Sequence, residues 1–407
     1  VRAAAELLRR NPDLRRLWLA SLVTAGGDWF AVIPLLALLH ELTGGGLAGG
    51  LVLAADTAVF ALVLPYAGTL ADRRDRKRII VAADSVSAGF ALLLLLVHGA
   101  AAVPVAVLAI GAIAAAKAFS EPAAVAATPN LVAPEDLGTA NVVFGVTWGS
   151  TLAVGAALGG LGSALLGPQV CFVLDAVSFV GSAVLVGAMR VPFQQPREQH
   201  TRLGLRAELR DAAAYARSDR RVLALLTAKP GVGFANGALV LFPLLATDLG
   251  VGTAGLGLLY AARGLGALLG PLLLGRRGRE EGLLRLVVPL SIASCGALYV
   301  GVAGAPWFWL ALALVALAHL GGGANWTASS YGLQRMVPDA VRGRISSADF
   351  MLCTLVIAVN QAMAGLLSET VATRVLIAAF GGASVVYAAG WLAATRSLRS
   401  APLESGA

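Results

Sequence analysis

The chain has 407 residues, of which 58% are hydrophobic and 13% charged, with a mean hydropathy of +0.79; a soluble domain carries roughly 45–50% apolar and about 25% charged residues. No water-soluble fold hides that much apolar surface, so a lipid bilayer is the expected solvent. The net charge of +8 invites a nucleic-acid reading, but the basic residues come in short clusters between apolar runs, so no nucleic-acid partner is expected.

The N-terminal segment, with Arg9, Arg10, Arg15 and Arg16, lacks a small-residue cleavage site and reads as the basic flank of a span that stays attached. A hydrocarbon core about 30 Å thick needs roughly 20 apolar residues per helix. Runs bounded by charge, Gly or Pro then predict spans from Leu17 to Leu39, Ala48 to Ala71, Ile79 to Val97, Val103 to Ala126, Ala140 to Leu165 and Gln169 to Met189. A polar stretch from Arg190 to Arg221 follows. Within it Leu205, Leu209, Ala212, Ala213 and Ala216 recur at helical spacing among Arg206, Glu208, Arg210, Asp211 and Arg217, as in a linker lying on the inner membrane surface. Six more runs go from Val222 to Thr247, Gly255 to Gly275, Leu283 to Val302, Trp307 to Ala328, Ser347 to Leu367 and Val375 to Thr395. The expected fold is all-α and integral to the membrane, with twelve transmembrane helices. Its expected parts are an N-terminal six-helix domain (1–189), a cytoplasmic amphipathic linker (190–221) and a C-terminal six-helix domain (222–407).

With the N-terminus in the cytoplasm, all of the 31 Lys and Arg residues fall on the inner side except Arg374, outside, and Lys117, Lys229 and Arg263, within spans. The positive-inside rule therefore places both termini in the cytoplasm and the chain in the inner, cytoplasmic membrane as a multi-pass protein. Cys171, Cys295 and Cys353 lie inside apolar runs and read as packing residues, so neither a disulfide framework nor a metal site is expected.

The halves resemble each other. Leu131, Val132 and Pro134 before Glu135, Asp136 and Leu137 recur, with a one-residue gap, as Met336, Val337 and Pro338 before Asp339, Ala340 and Val341. Leu70, Arg73, Arg74 and Arg76 recur as Leu273, Arg276, Arg277 and Arg279. Two six-helix repeats around a midplane cavity are a transporter architecture.

Charged side chains near the bilayer centre cost about 2.5–3.5 kcal/mol on insertion scales, which makes them functional candidates. At helical rise Asp28 lies roughly 18 Å beyond Arg16 and Arg263 roughly 19 Å from Arg276, both near the midplane. Lys229, roughly 12 Å beyond Arg221, needs a neutral form or a carboxylate partner. Asp28, Lys229 and Arg263 are therefore the proton-coupling candidates, with Asp56 in reserve. Asp28 is open to two readings, a proton site or a structural ion pair. Asp56 and Asp175 sit in outer halves of their spans, and structure is the expected role of both. Asp84 and Lys117 are placed nearer the inner ends, where snorkelling or mutual pairing suffices, and Glu121 beside Pro122 at a bent inner end of span four. Trp148, Asn236, His319, Asn325, Trp326, Asn360 and Gln361 are substrate-cavity candidates, although each such residue alone is more often a helix-packing residue.

Asn325-Trp326-Thr327 has the form of a glycosylation sequon but falls in a span, and Gly264-Leu265-Gly266 with Gly270 lacks the strand of a dinucleotide loop. The chain has no G-x-x-x-x-G-K-S/T loop, so an ion gradient is the expected energy source, with no cofactor.

The loop Gly68-Thr69-Leu70-Ala71-Asp72-Arg73-Arg74-Asp75-Arg76-Lys77-Arg78 closely resembles the signature loop of the major facilitator superfamily, with Asp75 where that pattern has Gly. Asp75-Arg76, together with Asn11-Pro12-Asp13-Leu14-Arg15-Arg16-Leu17-Trp18, Gly27-Asp28-Trp29, Leu174-Asp175-Ala176-Val177-Ser178-Phe179 and Arg342-Gly343-Arg344 with Ser346, looks like its enterobactin-exporter-like and macrolide-efflux-like branch. Physically, the basic residues hold the turn at an anionic surface, each worth about 1 kcal/mol. Asp72 can pair with Arg76 or meet another helix N-terminus as a latch. The resemblance implies that Asp72 and Arg76 stabilise one conformation, in a latch of Gly68, Asp72, Arg73, Arg76 and Lys77; a simple topology anchor is the other reading. Gly275 replaces the acidic position in the second half. Gly155-Ala156-Ala157-Leu158-Gly159-Gly160 is similar to the exporters' G-P-x-x-G-G motif, with Ala156 for proline, and equally suits a close helix contact.

The expected function is secondary active transport: proton-coupled antiport, in the efflux direction, of a small lipophilic drug-like compound or secondary metabolite by alternating access. A siderophore exporter is the alternative within transport. A transport-inactive receptor or scaffold, from another class, needs neither midplane charges nor the glycines of span five. Lacking a nucleophile–base or metal-ligand set, the chain is not expected to be an enzyme. The expected partners are a small-molecule substrate, protons and the lipid bilayer, and the expected functional state is a monomer.

Overall fold

The computed structural model describes residues 2–190, 193, 205–274 and 281–398. Among these, twelve helices are long and apolar enough to cross a bilayer. In chain order, spans one to six are Pro12–Thr43, Leu47–Ala67, Arg76–Leu96, Ala102–Leu131, Val146–Leu166 and Pro168–Gly187. Spans seven to twelve are Arg220–Asp248, Gly252–Leu274, Leu286–Ala303, Phe308–Met336, Arg344–Leu367 and Thr373–Ala394. Each overlaps a predicted run, and the described residues form no strand. Large apolar side chains such as Val125, Leu273 and Val386 point outward, as lipid-facing residues do. Hydroxyls within the spans commonly turn back to their own helices, as Thr147 Oγ1 does to the Val143 carbonyl at 2.8 Å, which satisfies them without water.

Local chemistry sets the ends of span one. Asn11 caps it by accepting from the Leu14 N–H at 2.9 Å, Pro12 takes the first turn, and Gly44, at φ 74°, ends it with its N–H on the His40 carbonyl. Before it lies a short helix, Arg2–Arg10, absent from the sequence reading; Leu7 buries against Leu14 and Ala140, and Arg10 pairs with Asp136. The linker helix, Leu205–Ser218, also rests on protein: Ala216 buries with Val222, Leu226 and Met336.

Two spans depart from expectation in ways that matter for the site. Span four runs through Pro122 and Pro129 to Leu131, five residues past its predicted end at Ala126, because a membrane helix tolerates proline. Lys117 therefore sits at mid-helix. Span seven is broken into Arg220–Leu226, Ala228–Ala235, a 3₁₀ segment Asn236–Leu241 and Phe242–Asp248. Pro230, Gly231, Gly233 and Pro243 weaken the helix there, and its enclosure by protein lets irregular backbone persist.

Contacts divide the chain into two compact units: residues 1–44, 55–199 and 251–261 form unit 1, and residues 45–54, 200–250 and 262–407 form unit 2. In unit 1, span one packs on five and six, and span three on four and six; in unit 2, span seven packs on eleven and twelve, and span nine on ten and twelve. The second pattern is the first shifted by six spans, which is the internal repeat realised as pseudo-symmetry.

Candidate functional site

Asp28 lies at the middle of span one and Lys117 at the middle of span four, and they meet with Nζ 2.7 Å from Oδ2. Asp56 on span two, Glu121 one helical turn beyond Lys117, and Asp175 on span six lie within electrostatic reach of the same lysine. Gly27 makes room for this arrangement. A Cβ there would come within 2.4 Å of Ser178 Oγ and 2.6 Å of Asp175 Oδ1, so the missing side chain lets the buried Asp175 carboxylate sit beside Asp28. Ser178 Oγ donates to Asp175 Oδ1 at 3.4 Å. Snorkelling or mutual pairing is the expectation for Lys117 and Asp84; the structure instead pairs Lys117 with Asp28, while Asp84 accepts from Ser182 Oγ at 2.6 Å.

In unit 2, Lys229 opens the second segment of the broken span seven and forms an ion pair with Asp349 Oδ2 on span eleven. Only 3% of the lysine side chain and 5% of the aspartate side chain is exposed. Lys229 Nζ also stands 4.9 Å from the centroid of Trp326 on span ten, a cation–π contact. Asp349 Oδ1 is buried and accepts no hydrogen bond from the described residues. Trp326 is 41% exposed and meets Phe350 edge to face at 5.9 Å. Sequence reasoning required a partner for Lys229 but did not single out Asp349; the signal was an acidic residue two positions inside the predicted start of span eleven.

The other candidates are dispersed. His319 bonds Tyr299 Oη through Nε2 at 2.9 Å, and Arg263 lies within electrostatic reach of that histidine. Asn325 Nδ2 donates to the Val288 carbonyl at 3.4 Å, joining spans ten and nine. Asn236 and Asn360 donate to carbonyls of their own spans, Val232 at 3.2 Å and Val356 at 2.7 Å. Gln361 is buried, and Trp148 is exposed.

At the signature loop, Asp75 caps span three by accepting from the Arg78 N–H at 3.0 Å, which gives a physical reason for an acid where the resembling pattern has glycine. Buried Arg76 donates to the carbonyls of Ala126, at 2.7 Å, and Phe193, at 3.2 Å; Lys77 donates to the Met189 carbonyl at 2.7 Å. These bonds tie span three to span four and to the chain leaving span six. Gly275 lies outside the described residues, and so do the side chains of Asp72 and Arg73 and the surroundings of Gly68. The glycines of span five bring it onto span one: a Cβ at Gly155 would lie 2.6 Å from the Gly26 carbonyl oxygen, and one at Gly159 2.6 Å from that of Phe30.

Residues 17–360 match the family model described as Major Facilitator Superfamily. The chain is 30% identical over 358 residues to the enterobactin exporter EntS of Citrobacter koseri, across 84% of this chain and 81% of that protein. Among solved structures it is similar to a mutant of peptide transporter POT in complex with alafosfalin, at a TM-score of 0.77 and 15% identity, covering 97% of this chain and 96% of that one. It is also similar to the nucleoside transporter NupG, at a TM-score of 0.70 and 16% identity, covering 94% and 99%.

Proposed function

Since the chain belongs to the major facilitator superfamily, we propose that it is a proton-coupled antiporter that exports a small lipophilic drug-like compound or secondary metabolite by alternating access. The observation that carries this reading is the gathering of Asp28, Asp56, Glu121 and Asp175 around Lys117. Fully ionised, these groups set four negative charges against one positive charge within apolar spans, where an unpaired charge costs about 2.5–3.5 kcal/mol. Proton binding removes that cost. A proton on Asp28 also releases Lys117 to another carboxylate, so the centre has discrete arrangements that a conformational cycle can select.

In this proposal the six-helix halves, 1–189 and 222–407, are the moving bodies, joined by the 190–221 linker. Both termini are cytoplasmic, the membrane is the inner membrane, and the monomer suffices. Gly68, Asp72, Arg73, Arg76 and Lys77 form the latch of one conformation; the carbonyl bonds of Arg76 and Lys77 support its anchoring part. A second reading, export of a siderophore, is favoured by the 30% identity to the enterobactin exporter.

The test is substrate-stimulated proton movement in sealed vesicles, comparing the native protein with Asp28→Asn. Coupled proton movement is expected in the native protein and at background level in the variant. Undiminished pH-coupled transport by Asp28→Asn removes Asp28 from the proton role, and failure to transport any compound in a broad panel favours the receptor reading.

A further inference from the structure

We propose that Asp349 and Trp326 form a binding site for a lipophilic organic cation, filled in this structure by the Lys229 ammonium as a tethered stand-in, and that the substrate cation enters in exchange for the Lys229 proton. The inference deepens the antiport reading, on which it rests for the direction of transport.

A desolvated cation needs an anionic oxygen and gains from an aromatic face. Both are present around Lys229 Nζ, and span seven supplies neither: the carboxylate comes from span eleven and the indole from span ten. The site is therefore a complete cation receptor without the lysine. Its spare capacity is visible in Asp349 Oδ1, buried and without a hydrogen bond from the described residues, while Oδ2 holds the lysine. The pair itself is closed off, with 3% of the Lys229 and 5% of the Asp349 side chain exposed, whereas 41% of Trp326 is exposed. An incoming aromatic or alkyl cation meets the indole first and the carboxylate second.

Charge balance dictates the exchange. The Lys229–Asp349 pair is neutral. A second cation at the carboxylate leaves one positive charge in excess where water is excluded, and the one charge able to leave is the ammonium proton. The N–H bond of Lys229 breaks, its electron pair stays on nitrogen, the proton departs to water, and Asp349 remains ionised opposite the substrate. The site stays neutral throughout, with one cation in and one proton out. Other titratable groups on the elements packed about span seven do not take the lysine's place. Cys353 lies one turn after Asp349 on span eleven; Tyr387 of span twelve donates to the Thr227 carbonyl at 2.8 Å; His319 of span ten is held by Tyr299 of span nine; Cys295 of span nine is buried.

The experiment uses tetraphenylphosphonium, a lipophilic cation with no proton of its own, added to the purified full chain in weakly buffered detergent solution, with binding and released acid measured together. The native protein is expected to release about one proton per cation bound. Lys229→Arg keeps the charge pair but holds its proton, so binding should weaken at least about tenfold and release should vanish. A double variant, Lys229→Met with Asp349→Asn, removes the pair without stranding a charge and should bind no cation while eluting as a folded monodisperse species. Native binding without proton release overturns the proposal, as does unchanged release in Lys229→Arg. Equal or tighter binding of the isosteric anion tetraphenylborate overturns it too, and turns attention to the siderophore reading. Gradient-driven transport in vesicles without cation-induced proton release discards this site and leaves antiport standing; proton release without transport of any compound does the reverse.

Discussion

Lys117 in unit 1 faces more carboxylates than it can neutralise, whereas Lys229 in unit 2 has one carboxylate and one indole. Both are lysines deep in apolar spans, yet their surroundings suit different work. A surplus of acid around one cation suits the taking up and passing on of protons. A neutral pair beneath a partly exposed tryptophan suits the exchange of one cation for another. The pseudo-symmetry of the two units makes the contrast sharper, because similar helix packing carries dissimilar charge.

The comparison breaks most readily at the balanced pair. Asp349→Leu alone strands the Lys229 ammonium and should destabilise unit 2 by about 3–5 kcal/mol, seen as a fall in melting temperature or in monodisperse yield. Adding Lys229→Met should restore most of that loss; failure of the double variant to recover would show that the pair is not electrically self-contained. At the surplus centre the two partners should be unequal. Lys117→Met leaves the carboxylates with no cation and should cost about 2 kcal/mol, allowing for a lysine that is 25% exposed. Asp28→Asn should cost much less in thermal unfolding, since Asp56 and Asp175 remain for Lys117; equal costs would contradict the surplus. Gly27→Ala pushes Asp175 and Ser178 away from Asp28 and should lose about 1–2 kcal/mol in the same assay. Smallest is Trp326→Leu, about 0.5–1 kcal/mol in stability because its ring is 41% exposed; its larger signature is weaker cation binding.

How far the sequence foretells this depends on which coordinate is asked for. Each apolar run of sufficient length is a span whatever its neighbours do, so all twelve are legible. Position along a helix is legible as well, which is why Asp28 and Lys229 stand out and why Lys229 demands a partner. Rotation about the helix axis and the identity of the neighbour are not encoded locally, so Asp349 passes unremarked. Lys117 is misplaced for another reason: span four is expected to bend at Pro122 and end at Ala126, and the helix continues through Pro122 and Pro129 to Leu131. The break in span seven did leave a trace in Pro230-Gly231-Val232-Gly233, a run too weak in helix propensity to stay regular. The short helix before span one escaped because it is polar and anchored by Leu7 rather than by a long apolar run.

The central claim is that a proton gradient drives export. It is tested most directly by imposing a pH gradient, acidic inside, across inverted vesicles containing the native protein and following tetraphenylphosphonium accumulation with the membrane potential clamped at zero. Accumulation that appears with the gradient and collapses on adding a protonophore is the predicted result; accumulation that is indifferent to the gradient would contradict the account.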